Sequence, residues 1–258
     1  MKRIWFIASV IIFFLIACTA NLEMRKRQSE ATRSVAEAYM DQGKYTEALR
    51  ELDKAEKLYA DDPILQDDLG LVLMQKKKLD LAIPHFKKAL ELKPDFPSAK
   101  NNLGVAYLRK KEWEAAIACF KELTENLLYA TPQNPLVNMG LAYYNKGEYA
   151  QSETYYKKAL KFYKDGTNKD ITYIKALHGL GRAYMAMGRV PEAVAMLKQA
   201  IKTAPRIAEL FFDLGQAYVL IHEYQKAVKA FDRVVELVPE RALAQEALKA
   251  AEKIKKRN

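Results

Sequence analysis

Gly70 and Gly104 stand 34 residues apart, and their surroundings keep the same step: Ala82 and Phe86 recur as Ala116 and Phe120. With that glycine as a landmark, six units line up on Ala36, Gly70, Gly104, Gly140, Gly181 and Gly215. One residue before each landmark is Val, Leu or Met, and three after it is Tyr or Leu. Twelve after it stands a small residue (Ala48, Ala82, Ala116, Ser152, Ala193, Ala227). Sixteen after it stands a large one (Leu52, Phe86, Phe120, Tyr156, Leu197, Phe231). Pro94, Pro205 and Pro239 close three units at the same place. A fixed period holding several residue types in register marks a repeated pair of helices. Small residues at two points let the paired helices approach, and the large residue is expected to fill the groove of the neighbouring unit. A unit this short cannot bury its apolar face alone, so stacking must supply the core.

The pattern resembles the tetratricopeptide (TPR) repeat over Ser29 to Pro239. The resemblance implies an all-α solenoid of six helical hairpins, residues 29–239, followed by a capping helix and basic tail over 240–258. Ala242 to Lys255 supports the cap, with Leu243, Ala247, Leu248, Ala251 and Ile254 spaced among charges. Pro84 is read near the start of a second helix, where a missing N–H is tolerated. No Gly/Ser-rich linker divides the chain, so one repeat domain behind a short anchor is expected.

Met1-Lys2-Arg3 is a positive start, and Ile4 to Ala17 is an apolar run of 14 residues broken only by Ser9. That is short of the roughly 20 residues needed to span a bilayer and suits an export signal over 1–17. Leu15-Ile16-Ala17-Cys18 resembles the lipobox of bacterial lipoproteins. That likeness implies cleavage before Cys18, acyl chains on its sulfur and amine, and a lipidated tether over 18–28. Thr19 follows where an Asp often retains lipoproteins at the inner membrane. The periplasmic face of the outer membrane is therefore expected, with the inner membrane left open.

The chain carries a formal net charge of +10. Lys76-Lys77-Lys78, Arg109-Lys110-Lys111 and Arg189 cluster at turns. They read either as a solvated surface or as a rim steering anionic lipid or an acidic partner. No nucleic-acid module is present. His85, His178 and His222 lack ligand spacing, no nucleophile or phosphate-loop motif occurs, and no catalytic residue, metal or cofactor is expected. Asp61-Asp62 and Asp67-Asp68 read as charges favoured at helix N-termini. Cys119 reads as a buried small residue. Tyr143 and Tyr156 take core register, leaving Tyr144 and Tyr155 for exposure.

A protein partner fits best, with no small-molecule substrate. In TPR arrays the first-helix positions one and four after the landmark commonly face the groove. Here they are Glu37 and Met40, Leu71 and Met74, Val105 and Leu108, Leu141 and Tyr144, Arg182 and Met185, Gln216 and Val219. Leu71, Met74, Val105, Leu108, Leu141 and Tyr144, joined by Met185, would make a contiguous apolar lining for a partner. The alternative is that curvature makes them ordinary core. The Lys/Asn clamp that holds C-terminal carboxylates in some cochaperones is absent.

A lipobox followed by six such units is similar to the outer-membrane lipoproteins that assist type IV pilus secretins, the pilotins. Leu128-Tyr129-Ala130-Thr131-Pro132, running into Asn138 to Tyr144, looks like that family's entry into its fourth repeat. The resemblance implies a non-enzymatic scaffold that helps secretin subunits multimerise. An adaptor docking peptidoglycan hydrolases or synthases shares the same fold and anchor. An accessory role in polysaccharide export would ask for a more polar, aromatic groove. If Cys18 is the lipid site, Cys18→Ala should abolish palmitate labelling; labelling that survives the change would overturn it.

Overall fold

The computed structural model describes the backbone over residues 2–125, 131–163 and 169–256, and side chains from residue 19 onward. Among the described residues there are thirteen α-helices and no strand. They fall into two compact units, Met1–Glu112 and Trp113–Asn258. Unit 1 holds α1 (Lys2–Asp41), α2 (Tyr45–Leu58), α3 (Pro63–Gln75), α4 (Leu79–Leu92) and α5 (Pro97–Lys110). Unit 2 holds α6 (Trp113–Glu125), α7 (Gln133–Lys146), α8 (Tyr149–Leu160), α9 (Ile171–Ala186) and α10 (Val190–Thr203). It continues with α11 (Ala208–Leu220), α12 (Tyr224–Leu237) and α13 (Ala242–Lys255). The unit border falls in sequence between the two helices of the third repeat.

The landmark spacing acquires a concrete cause. A Cβ placed on Gly70 would lie 2.5 Å from the ring of Phe86, and one on Gly215 would lie 2.6 Å from Phe231. At Gly140 the ring of Tyr156 would be 2.8 Å away, and at Gly181 the Leu197 side chain 3.0 Å away. The large residue therefore seats on the glycine of its own hairpin, where the sequence reading sent it to the neighbouring unit. The first unit trades sizes: Ala36 carries a Cβ, and its partner at the same register is Leu52, both fully buried. The step is a measure of how close two helices must come.

Each hairpin turn repeats one geometry. The residue seven after the landmark has positive φ in all six: Gly43, Lys77, Lys111, Gly147, Gly188 and His222. Its N–H bonds the carbonyl three residues back, as Gly43 does to Met40 at 2.9 Å. The next N–H reaches back five, as Lys44 does to Tyr39 at 2.9 Å. These two bonds close the open carbonyls of each first helix with a left-handed residue. Only three of the six positions hold the glycine that such a φ favours; Lys77, Lys111 and His222 carry the strain.

Stacking builds the cores. In unit 1, Leu52 and Ala55 of α2 pack with Leu65, Leu69 and Val72 of α3. In unit 2, Leu197, Leu214, Phe231 and Val234 continue into Ala247, Ala251 and Ile254 of α13. The capping face runs through Ala244, and Leu248, expected to be buried, is 45% exposed. Pro84 is the sixth residue of α4. It stands beyond the first turn, where its missing N–H does remove a helical bond.

Residues 19–28, read as a tether, are helical within α1. Arg25 donates to the Lys57 carbonyl at 3.1 Å, and buried Ser29 to the Ala55 carbonyl at 2.8 Å. Lys26 lies 4.9 Å from the Tyr59 ring centre. Basic and hydroxyl groups thus dock α1 on the carbonyl end of α2. Cys18 and the apolar run before it lie outside the residues whose side chains are described, as does Leu128-Tyr129-Ala130 of the junction. Among the described residues no helix is long and apolar enough to cross a membrane.

Gly215→Ala should cost about 1–3 kcal/mol, since Phe231 must leave its seat. Lys77→Gly should add about 1 kcal/mol by relieving the left-handed backbone. Denaturant midpoints check both; a Gly215→Ala variant as stable as the parent, or a Lys77→Gly variant less stable than it, would contradict the packing account.

Candidate partner-binding site

First helices present register positions one and four after the landmark toward one face of each unit. In unit 1, Leu71, Val105 and Leu108 are half-buried, as a lining residue should be. Met74 is not: only 4% exposed, it belongs to the core and offers a partner no surface. Arg109 of α5 donates to the Met74 carbonyl at 3.2 Å, so the next first helix closes over this position. In unit 2, Leu141, Tyr144 and Met185 are half-buried.

A cavity of about 570 Å³ opens on the unit 2 face, lined by Tyr144, Arg182, Met185, Asp213, Gln216 and Val219. Of these six, all but Asp213 occupy the two expected register positions; Ala186, Leu220, Phe231 and Ala250 complete the lining. Leu141 does not reach this cavity. The chemistry differs from the aliphatic expectation. The Arg182 guanidinium lies 4.6 Å from the Tyr144 ring centre, and its Nε is 3.9 Å from an Asp213 oxygen. His178 Nε2 meets the same Asp213 carboxylate at 2.6 Å. Asp213, two residues before its landmark, ties neighbouring first helices together. Its register was passed over because only positions one and four were read as groove-facing.

The corresponding positions of unit 1 carry more charge. Asp67 and Asp68 lie inside α3, 4% and 8% exposed, so they are not N-terminal charges; Asp62 alone takes that part, accepting from the Ile64 N–H at 2.8 Å. Asp67 accepts from Ser98 Oγ and Asn102 Nδ2 of α5, each at 2.9 Å. Burial raises its pKa, and those two bonds pull it back. Arg33 of α1 bonds Glu37 and stands 3.4 Å from Asp62 and 3.6 Å from Asp68. Asp68 is pushed up to about 7, first by burial and then by the charges of Glu37 and Asp67, with Arg33 opposing.

The turn cations are largely engaged locally. Lys110 pairs with Asp80 and Glu112, both at 2.9 Å, and Arg189 with Glu153 at 2.7 Å. Lys76 donates to Thr46 at 2.8 Å, while Lys77 and Lys78 stand exposed. Tyr156 is buried; Tyr155 is half-buried and stacks on Tyr143 at 5.1 Å. Cys119, expected to be buried, is half-buried. His85 and His222 are held separately, by Gln66 and Tyr224. Among the described residues no group of three His, Cys, Asp or Glu side chains is placed to hold a metal.

Asp68 makes stability fall with pH. The proton it keeps in the folded state contributes fully below the unfolded carboxylate pKa near 3.8, and that contribution is lost as pH rises through about 7. Asp68→Asn cannot titrate, so its stability relative to the parent should improve between pH 5 and pH 8. A gap in denaturant midpoints that stays constant with pH would contradict the assignment.

Comparison with known families agrees with this architecture. Models described as tetratricopeptide repeat match residues 131–206, 178–242 and 97–126, and one described as TPR repeat matches 36–77 and 70–111. The expected all-α TPR solenoid is met. Among solved structures, PilW, described as a widely conserved type IV pilus biogenesis factor, is similar with TM-score 0.76 and 21% identity. It covers 85% of this chain and 98% of PilW. PilF of Pseudomonas aeruginosa gives TM-score 0.69 and 18% identity, covering 86% of this chain and 97% of that one. The Cut9–Hcn1 hetero-tetramer of the anaphase-promoting complex gives 0.73 and 17%, covering 87% and 43%. At these identities the likeness is one of fold. A curated relative, subunit CDC16 of the anaphase-promoting complex of Saccharomyces cerevisiae, is 29% identical over 122 residues. The match spans 46% of this chain and only 14% of that protein.

Proposed function

We propose that this tetratricopeptide-repeat protein is a scaffold whose first-helix faces hold a partner protein, and that the partner is a type IV pilus secretin. In this reading Cys18 carries lipid, the chain sits at the periplasmic side of the outer membrane, and the repeats gather secretin subunits as they multimerise. The lining of half-buried side chains on both units carries the scaffold part: Leu71, Val105 and Leu108 in one, Leu141, Tyr144 and Met185 in the other. Residues placed this way can lose their remaining water to a partner without unfolding anything. The secretin part is supported by the lipobox-like start, the repeat count and the near-complete mutual coverage with PilW and PilF.

The repeat fold works as a protein-interaction scaffold, and the chemistry proposed is binding alone. Docking of peptidoglycan enzymes is the competing use of the same faces. Polysaccharide export gains one point in its favour, the aromatic and polar cavity at Tyr144, Arg182 and Asp213.

In membranes from cells lacking the gene, run unboiled on a denaturing gel, secretin multimers should vanish and leave monomers. Multimers persisting at normal amounts would overturn the secretin assignment and favour the peptidoglycan adaptor. Leu71→Glu, Leu108→Glu and Tyr144→Glu should keep the helical spectrum. Each should cost about 2 kcal/mol or more of partner binding where it falls on a hot spot. Unchanged binding in folded variants would remove the face assignment.

A further inference from the structure

We infer that unit 1 carries a second docking surface, on its second helices, which receives an acidic segment of a partner protein anchored by one aliphatic side chain. This goes beyond the first-helix scaffold and does not depend on what that scaffold holds. α2 and α4 each pack on α3 and not on each other. The gap between them is a groove of about 560 Å³. Leu49 of α2, Leu69 and Leu73 of α3, and Leu81 and Pro84 of α4 give it an apolar lining.

The repeat does not account for that lining. Leu81 stands eleven residues after its landmark, where the other five units have Glu47, Ala115, Gln151, Glu192 and Lys226. It is 57% exposed, so it fills no core. A large apolar side chain left in water beside an open groove marks a surface that a partner covers.

The charges around the groove identify the kind of partner. Asp53 is paired with Lys57 at 2.6 Å, Glu56 accepts from Gln66 Nε2 at 3.0 Å, and Gln66 also holds His85. Lys76 donates to Thr46 at 2.8 Å. Arg50, which lines the groove, and Lys77 and Lys78, which follow Lys76, are exposed. None of the three forms an ion pair among the described residues, so the uncompensated charge at the groove is cationic. Lys77 adds an independent observation. Its φ is 60°, in the left-handed region. Gly43, Gly147 and Gly188 take the same place in other turns, and a Cβ on any of them would meet no atom within 4 Å. A side chain there gains no contact from its own hairpin, so the lysine bears the backbone strain without any packing to offset it.

A segment bearing carboxylates and one aliphatic side chain supplies both things this surface lacks: counter-charge for Arg50, Lys77 and Lys78, and cover for Leu81. Lipid headgroups do not fit. Thr46, reached by Lys76, lies just past the turn that follows α1. The helix from Thr19 to Asp41 is about 33 Å long at 1.5 Å per residue. A membrane holding the N-terminal apolar run would therefore lie at the far end of α1 from these cations.

The test uses the full chain and a labelled, end-blocked peptide with one central leucine between two pairs of glutamates. It is set against the same peptide with glutamine for glutamate, and against one with alanine for leucine. The first peptide should bind about ten-fold tighter than the glutamine peptide, a difference of about 1.4 kcal/mol. That preference should fade as salt rises. It should also bind several-fold tighter than the alanine peptide. Lys77→Gly should weaken binding several-fold while the fold gains stability, so the loss cannot come from unfolding. Arg50→Gln should cut the glutamate preference, and Leu81→Gln, an exposed change, should erase the leucine preference. Equal affinity for the glutamate and glutamine peptides, or preferences untouched by Lys77→Gly and Leu81→Gln, overturn the inference. Phosphatidylglycerol vesicles bound through the same residues, with no preference among the peptides, would give the surface to lipid and overturn it. Self-association lost in Leu81→Gln would give it to a second copy and equally overturn it. Leu71→Glu and Leu108→Glu should leave peptide binding unchanged; its loss there would move the peptide to the first-helix face. Absence of both preferences while secretin multimers still depend on the gene sinks this inference alone. Multimers independent of the gene with the preferences intact sink the secretin assignment alone.

Discussion

The contact between a landmark glycine and the large side chain sixteen residues later is what the rest of each hairpin depends on. Phe86 on Gly70 and Phe231 on Gly215 leave no room for even a methyl group. With the two helices that close, the small residue twelve after the landmark is fully buried at Ala82 and Ala227. Ser152 fills the same place in the fourth repeat and spends its hydroxyl on the Gly140 carbonyl at 2.8 Å, so even a polar residue is tolerated there. A hairpin held this way has its apolar surplus on its flanks. Neighbours stacking on those flanks bury it.

The same tightness governs the turns. Six hairpins of one geometry need the same left-handed residue to reverse the chain, and three meet that need with lysine or histidine. Packing over the rest of the hairpin outweighs a backbone cost of about 1 kcal/mol per turn. The turn therefore tolerates Lys77 and Lys111 without selecting them.

What the hairpins leave over is the surface of the first helices, and there the two units diverge. Unit 1 gathers Glu37, Asp62 and Asp68 around Arg33. Unit 2 sets Arg182 on Tyr144 and shares Asp213 between Arg182 and His178. Burying such groups is expensive unless they are fully paired. Here Asp68 and Asp62 are paired by Arg33, and Asp213 by His178 and Arg182, so these charges tie neighbouring first helices together.

Repeat number, hairpin architecture and the capping helix over Ala242–Lys255 were legible in the sequence, because a close helix–helix contact demands a small residue and a large one at fixed spacing. Tyr144, Arg182, Met185, Gln216 and Val219, read at the two register positions, line one cavity. Other features were not legible. Met74 and Leu71 share a helix and an apolar character, yet only the packing of α1 and α5 decides that one is core and the other half-exposed. Asp67 and Asp68 read as ordinary helix-end charges until α1 brought Arg33 and α5 brought Ser98 and Asn102 to them. Periodicity by itself determined the unit, since it records contacts within and between successive hairpins. Burial, pairing and the charge state of single side chains were decided only by the tertiary structure, because they depend on neighbours some 35 residues away that leave no local pattern.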